Sequence, residues 1–166
     1  YLHENDIGDE GASSLAKSLP LHKKLRELKL TGNKITNVGA TALAEALTPS
    51  KDRKPSGLRR LKLGDNQIGD AGAGVLAKAV QVNRHVMGLY LSSNAISDKG
   101  AKLVAAALDP AGFSSKVARK GGVLEVSLQH NSISDEGAEA LAKVITNPLC
   151  RVAALHLAGN PIHRAG

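Results

Sequence analysis

The residues best suited to proton transfer or metal binding are six histidines, His3, His22, His85, His130, His156 and His163. A zinc site would need ligands at short spacings, and no histidine stands three to five residues from another or pairs with the single cysteine, Cys150. One pair invites covalent chemistry. Ser127 and His156 occupy the same position in two successive segments of alternating apolar residues, so a hydroxyl and a base would share one column of a sheet. No carboxylate is expected beside that histidine to orient it, and an open groove would exclude little water. The recurrent Ile-x-Asp-x-Gly-Ala segment, as at Ile68 to Ala73, lacks the glycine spacing of a phosphate-binding loop or a dinucleotide fingerprint. Catalytic residues, metals and cofactors are therefore not expected, and function must be sought on surfaces.

Those surfaces are positioned by a repeat. Asn5, Asn33, Asn66, Asn94, Asn131 and Asn160 anchor six copies, each with Ile two residues later (Ile7, Ile35, Ile68, Ile96, Ile133, Ile162). Gly11, Gly39, Gly72, Gly100, Gly137 and Gly166 stand six residues after the anchors, and apolar triplets such as Leu25/Leu28/Leu30 and Leu58/Leu61/Leu63 precede them. The alternation at the end of each triplet predicts a short strand. The Asn turns the chain, and its amide can satisfy backbone groups between neighbouring coils. A helix follows, with Asp9, Asn37, Asp70, Asp98 and Asp135 expected as N-caps. Its inward face is Ala12/Leu15/Ala16/Leu19, with equivalents down to Ala138/Leu141/Ala142/Ile145.

The pattern L-x-x-L-x-L-x-x-N-x-I, followed by G-A-x-x-L-A-x-x-L, resembles the leucine-rich repeats of the ribonuclease-inhibitor-like subfamily along the whole chain. The resemblance implies an α/β solenoid, a horseshoe with a concave parallel β-sheet and convex α-helices. Residues 1–166 form one array with coil boundaries at 1–24, 25–57, 58–85, 86–122, 123–151 and 152–166, four complete coils flanked by partial repeats. Both ends cut through a repeat and no capping coil is visible, so the chain is expected to be part of a longer solenoid. Composition agrees with thin repeated layers: of 166 residues 42% are hydrophobic but none is Trp, one is Phe and two are Tyr, while 17 are Gly. Charged residues make up 22% within a persistent apolar pattern, which argues against disorder, and no apolar run approaches a membrane span. The lone cysteine fits a reducing, cytoplasmic setting, and Cys150 is expected to point inward as a small apolar residue.

Charge is sorted by edge. The helix-to-strand edge carries Lys23, Lys24, Arg26, Lys51, Arg53, Lys54, Arg59, Arg60, Arg84, Lys116, Arg119, Lys120 and Arg151, and two insertions, Thr48 to Gly57 and Asp109 to Gly122, enlarge it. Lengthening such loops costs only about 1 kcal/mol in closure entropy, so tolerance alone can explain them. The opposite edge is acidic, as helix N-termini favour. Outward strand positions give the concave face: Lys29, Arg60 and Lys62 towards one end, Tyr90 at the centre, Gln129 and His156 beyond. These residues, with Lys51, Arg53, Lys54, Lys116, Arg119 and Lys120 of the insertions, are the candidate binding residues. Tyr90 reads either as a binding anchor or as a solvated spacer, and Phe113 as a cover over Leu103 and Ala106 in preference to an exposed anchor.

The resemblance implies protein binding, as in ribonuclease inhibitor, Ran GTPase-activating protein, immune-receptor sensor regions and scaffold subunits of ciliary and cytoskeletal complexes. The net charge of +7 points to an acidic protein partner. Scarce aromatics disfavour nucleic acid, and oligomeric state is not legible. The expectation is a non-enzymatic interaction module or scaffold, with a GTPase-regulating or immune-sensor protein as the alternative.

Overall fold

The computed structural model describes residues 1–51, 56–110 and 123–163. Among these, strands and helices alternate: α1 (Asp9–Ser18) with a 3-10 turn (Leu19–Leu21), β1 (Glu27–Lys29), α2 (Asn37–Leu47), β2 (Arg60–Lys62), α3 (Asp70–Asn83), β3 (Gly88–Tyr90), α4 (Asp98–Leu108), β4 (Glu125–Ser127), α5 (Asp135–Ile145) and β5 (Ala154–His156). The strands form one parallel sheet in chain order. Its register carries Leu28, Leu61, Leu89, Val126 and Leu155 in a single inward row. Neighbouring strands sit about 4.8 Å apart whereas packed helices need roughly 8–10 Å, so helices take the outside of a curve and strands the inside. The helical alanines Ala40, Ala73 and Ala101 are fully buried and bring each helix close to its sheet.

Each Asn anchor ties two coils together. Asn131 Nδ2 donates to the carbonyls of Leu128 and Gln129 in its own coil and of Leu91 in the preceding one. Its Oδ1 accepts from the backbone N–H groups of Asn94 and Ile96. Asn33, Asn66, Asn94 and Asn160 repeat the arrangement. The residue before each anchor makes the turn: Glu4, Gly32, Asp65, Ser93, His130 and Gly159 all have φ between 51° and 75°, the left-handed region. Only two of the six are glycine, so the coil imposes this conformation even where the side chain disfavours it.

The expected acidic caps prove to be something else. The N-caps are Gly8, Thr36, Gly69, Ser97 and Ser134, one residue earlier than expected. The Asp or Asn that follows reaches sideways to the next coil. Asp98 Oδ1 accepts from the N–H groups of Ser134 (2.7 Å) and Gly137 (3.0 Å), and Oδ2 from the Ser134 hydroxyl. Asp9 does the same with Thr36 and Gly39, and Asp70 holds the N–H and hydroxyl of Ser97. Asn37 stands where the next N-cap is Gly69, which has no hydroxyl, and its single carbonyl oxygen serves the N–H groups of Gly69 and Gly72. At these four junctions carboxylate pairs with hydroxyl and amide with glycine, while Asp135 Oδ1 accepts from the backbone N–H of His163 at the next. The repeat glycines make room for this contact: a Cβ on Gly100 would lie 2.5 Å from Asp70 Oδ1, and one on Gly137 2.5 Å from Asp98 Oδ1.

Two expectations about the core need correction. On α5 only Leu141 of the apolar inward face is fully buried, and Ala142 and Ile145 are exposed, because among the described residues α5 has a neighbouring helix on one side only. Cys150, expected inside, is half-buried. Leu103 and Ala106 line an open groove between α3 and α4 with Val75, and Phe113, expected to cover them, lies outside the described residues.

Candidate binding face

Register fixes the concave face. Glu27, Arg60, Gly88, Glu125 and Ala154 form one row across the strands, and Lys29, Lys62, Tyr90, Ser127 and His156 the next. The candidate residues Lys29, Arg60, Lys62, Tyr90 and His156 thus fall in two adjacent rows, linked by two carboxylates absent from the expected set. Glu27 receives Arg60 Nη1 at 2.9 Å, Lys62 Nζ at 3.2 Å and Lys29 Nζ at 3.6 Å. Hydrogen bonding by Lys62 foremost, then by Arg60, holds the Glu27 carboxyl below the usual carboxylate range against the opposing effect of burial. Lys29 Nζ also lies 4.2 Å from the centre of the Tyr1 ring, and Lys62 Nζ 5.4 Å from that of Tyr90, both within cation–π range.

Tyr90 is engaged within the face itself. Its ring lies over Gly88, where an added Cβ would come within 2.8 Å of it, and its hydroxyl donates to Glu125 Oε2 at 2.6 Å. Loss of solvent, and then the bond to the Glu125 carboxylate, push the phenol up to about 12. The other Glu125 oxygen is 3.2 Å from His156 Nε2. This corrects the expectation that no carboxylate orients that histidine: Glu125 and His156 are diagonal neighbours on one sheet face, two residues out of register, and the alignment of the repeats already placed them so. Ser127 is not in the same network. It is 3% exposed, and its hydroxyl is hydrogen-bonded with Ser92 Oγ at 2.8 Å and Gln129 Oε1 at 3.2 Å. The histidine has its carboxylate, but the hydroxyl of the proposed nucleophile is engaged elsewhere, and Gln129 serves to hold it there.

The face is therefore electrostatically divided. Over β1 and β2 three cations surround one carboxylate, while across β3 to β5 a carboxylate meets a tyrosine hydroxyl and a histidine. Beside the cationic half runs the helix-to-strand edge, where Lys23, Lys24, Arg26, Lys51, Arg59 and Arg84 are exposed. Arg26 donates to the carbonyls of Lys23 and Gly57, bracing the end of the first insertion. Of the candidate residues, Arg53, Lys54, Lys116, Arg119 and Lys120 lie outside the described residues. Among the described residues no group of three or more His, Cys, Asp or Glu side chains is placed to hold a metal ion.

Comparison with known proteins follows the same architecture. A family described as Leucine Rich repeat matches residues 2–16, 22–44, 57–77, 82–105 and 123–142, together more than half of the chain. Ribonuclease inhibitor of Sus scrofa is 26% identical over 177 aligned residues, covering 95% of this chain and 38% of its own length. The chain thus spans well under half of that relative. The solved structure titled Leiomodin-1 Actin-Binding Site 2 superposes with a TM-score of 0.67 at 16% identity, over 92% of this chain and 79% of that one, and shares the fold. Strand, asparagine turn, helix and matched segments coincide coil by coil, and the chain belongs to the leucine-rich repeat family as a ribonuclease-inhibitor-like member.

Proposed function

We propose that this chain is a non-catalytic protein-interaction module, used as a scaffold within a larger assembly, that engages an acidic partner surface with the β1–β2 half of its concave face and the adjoining basic edge. The observation that carries this reading is the cation excess there: Lys29, Arg60 and Lys62 share a single carboxylate, Glu27, and the nearby edge lysines and arginines continue the same sign. The leucine-rich repeat family supports protein binding as the mode. The porcine relative is named for inhibiting a ribonuclease and the structural neighbour for an actin-binding site, both protein targets. The lone Cys150 supports a reducing, cytoplasmic location, and a ciliary or cytoskeletal complex is the kind of assembly such a scaffold serves.

Quantitative affinity capture tests this reading with the wild-type chain and an Arg60→Glu/Lys62→Glu variant of equal thermal stability. A specific protein retained by the first and lost from the second, and released by raising salt from ~0.15 to ~0.5 M, is the expected result. Identical retention by both chains would move the binding surface elsewhere.

A further inference from the structure

Glu27 is placed unusually for a residue on an open face. Three cations from two adjacent strands converge on its carboxylate, at 2.9, 3.2 and 3.6 Å, and its side chain is only 23% exposed. Stability is a poor reason for the cluster, because exposed ion pairs contribute little and Lys29 faces Lys62 directly across the register, a repulsive placement. Its geometry is that of a carboxylate site already occupied. Arg60 approaches one oxygen and the two lysines the other, while the Tyr1 and Tyr90 rings flank the lysines at 4.2 and 5.4 Å. With Glu27 in place, the three cations still leave two positive charges unneutralised.

We propose that Lys29, Arg60 and Lys62 form a recognition site for an aspartate or glutamate side chain of a protein partner, and that Glu27 is its resident competitor, turned aside when the partner docks. This rests on the concave-face reading above and adds a selection rule to it. An isolated acid on a passing protein must compete with a carboxylate already held at short range and binds weakly. A segment with several acids across β1 and β2 supplies the replacement carboxylate and also neutralises the remaining charge. Peptide is favoured over nucleic acid because the chain has two tyrosines and no tryptophan, and both tyrosine rings already carry a lysine.

The test needs no natural partner. A fluorescent hexaglutamate peptide is titrated into the isotope-labelled chain, with hexaglutamine and a single-stranded uridine homopolymer as comparison probes. Saturable resonance shifts at Lys29, Arg60 and Lys62 are expected for hexaglutamate alone. Removing the competitor with Glu27→Gln should tighten that binding about fivefold, and Lys62→Gln should weaken it by about the same factor. Glu139→Gln, which makes the same change of net charge on α5 far from the face, should leave it within about twofold. Unchanged affinity in Glu27→Gln, equal tightening in Glu139→Gln, shifts confined to Lys23, Lys24 and Lys51, or tighter binding of the uridine polymer would each overturn the proposal. So would the absence of saturable binding. If the hexaglutamate site is found but affinity capture retains no protein that depends on Arg60 and Lys62, the carboxylate site stands and the scaffold reading falls.

Discussion

Two parts of each coil behave oppositely along the solenoid. On the strand-to-helix edge one scheme recurs among the described residues: Asn anchor to carbonyls and N–H groups of two coils, then an Asp or Asn latch to the next coil, with a glycine beneath the latches of Asp9, Asn37, Asp70 and Asp98. On the concave face the side chains change along the solenoid: after the paired Lys29 and Lys62, Tyr90, Ser127 and His156 succeed one another in a single row. The edge uses its polar groups to satisfy buried backbone, where an unmet hydrogen bond is expensive, so each coil must solve the same problem in the same way. The face is solvated, its pairs are individually weak, and its residues are free to differ. Repetition marks what holds the coils together, and departure from it marks what a partner can read.

The largest break of this contrast is Asn131→Ala. It removes five hydrogen bonds, three of them between coils, and strands buried backbone groups, including the N–H of Ile96, so it should lower unfolding free energy by about 3 kcal/mol. Urea denaturation gives the value, and a loss below ~0.5 kcal/mol would remove the edge from its structural role. Next comes Gly100→Ala. In an ordinary helix alanine gains about 0.5–1 kcal/mol over glycine. Here its Cβ would meet Asp70 Oδ1 at 2.5 Å and Ile96 Cγ2 at 2.7 Å, so crowding of about 1–3 kcal/mol should reverse the sign. A stabilised variant would show that the latch does not need the glycine.

Much of this was legible in the sequence because a repeated pattern averages out local ambiguity. Six asparagines at matched positions located the turns, and Leu28, Leu61 and Leu89 located the strands. Matched positions also aligned the concave rows, and so brought Lys29, Lys62, Tyr90 and His156 together before any coordinates. What escaped were relations between coils. Asp98 looks like an N-cap because acids favour helix N-termini, yet its partners are Ser134 and Gly137, 36 and 39 residues away. Glu125 was missed beside His156 for a related reason: the contact is diagonal across strands, while columns compare only residues in register. The pairing of Asp with a hydroxylated cap and of Asn37 with Gly69 was in the sequence, but only the sideways reach of the latch gives it meaning.

That pairing can be transplanted. Gly69→Ser supplies the missing hydroxyl and Asn37→Asp the second acceptor oxygen, so the double variant should exceed the sum of the single variants by about 0.5–1 kcal/mol. Additivity in a double-mutant cycle would show that hydroxyl and carboxylate are not coupled. The latches should also make the edge sensitive to acid. The Ser134 hydroxyl and N–H hold the Asp98 carboxyl below its usual range, while for Asp9 the bonds from Thr36 and Gly39 outweigh the opposing effect of burial. Because these carboxyls bind protons more weakly folded than unfolded, their contribution is complete above the ordinary carboxylate pKa of about 4. It fades as pH falls through that value towards the depressed one. Urea midpoints for wild type should drop across this window, and Asp9→Asn/Asp98→Asn should flatten the drop; an unchanged slope would count against the latch.

The smallest effect on stability belongs to the face, and it tests the contrast from the other side. Glu125→Gln weakens its contacts with the Tyr90 hydroxyl and His156, but these groups are in reach of water, so unfolding free energy should change by only about 0.5 kcal/mol. The same substitution should be plain in the chemistry of the face. Tyr90 is pushed up to about 12 by desolvation first and by the Glu125 carboxylate second, so neutralising that carboxylate must bring its ionisation down, though not all the way to that of a free phenol. Absorbance titration in a Tyr1→Phe background isolates Tyr90, since the chain has two tyrosines. A Glu125→Gln variant that loses several kcal/mol, or leaves the Tyr90 titration where it was, would make the face part of the framework, and the division between repeating edge and varying face would fail.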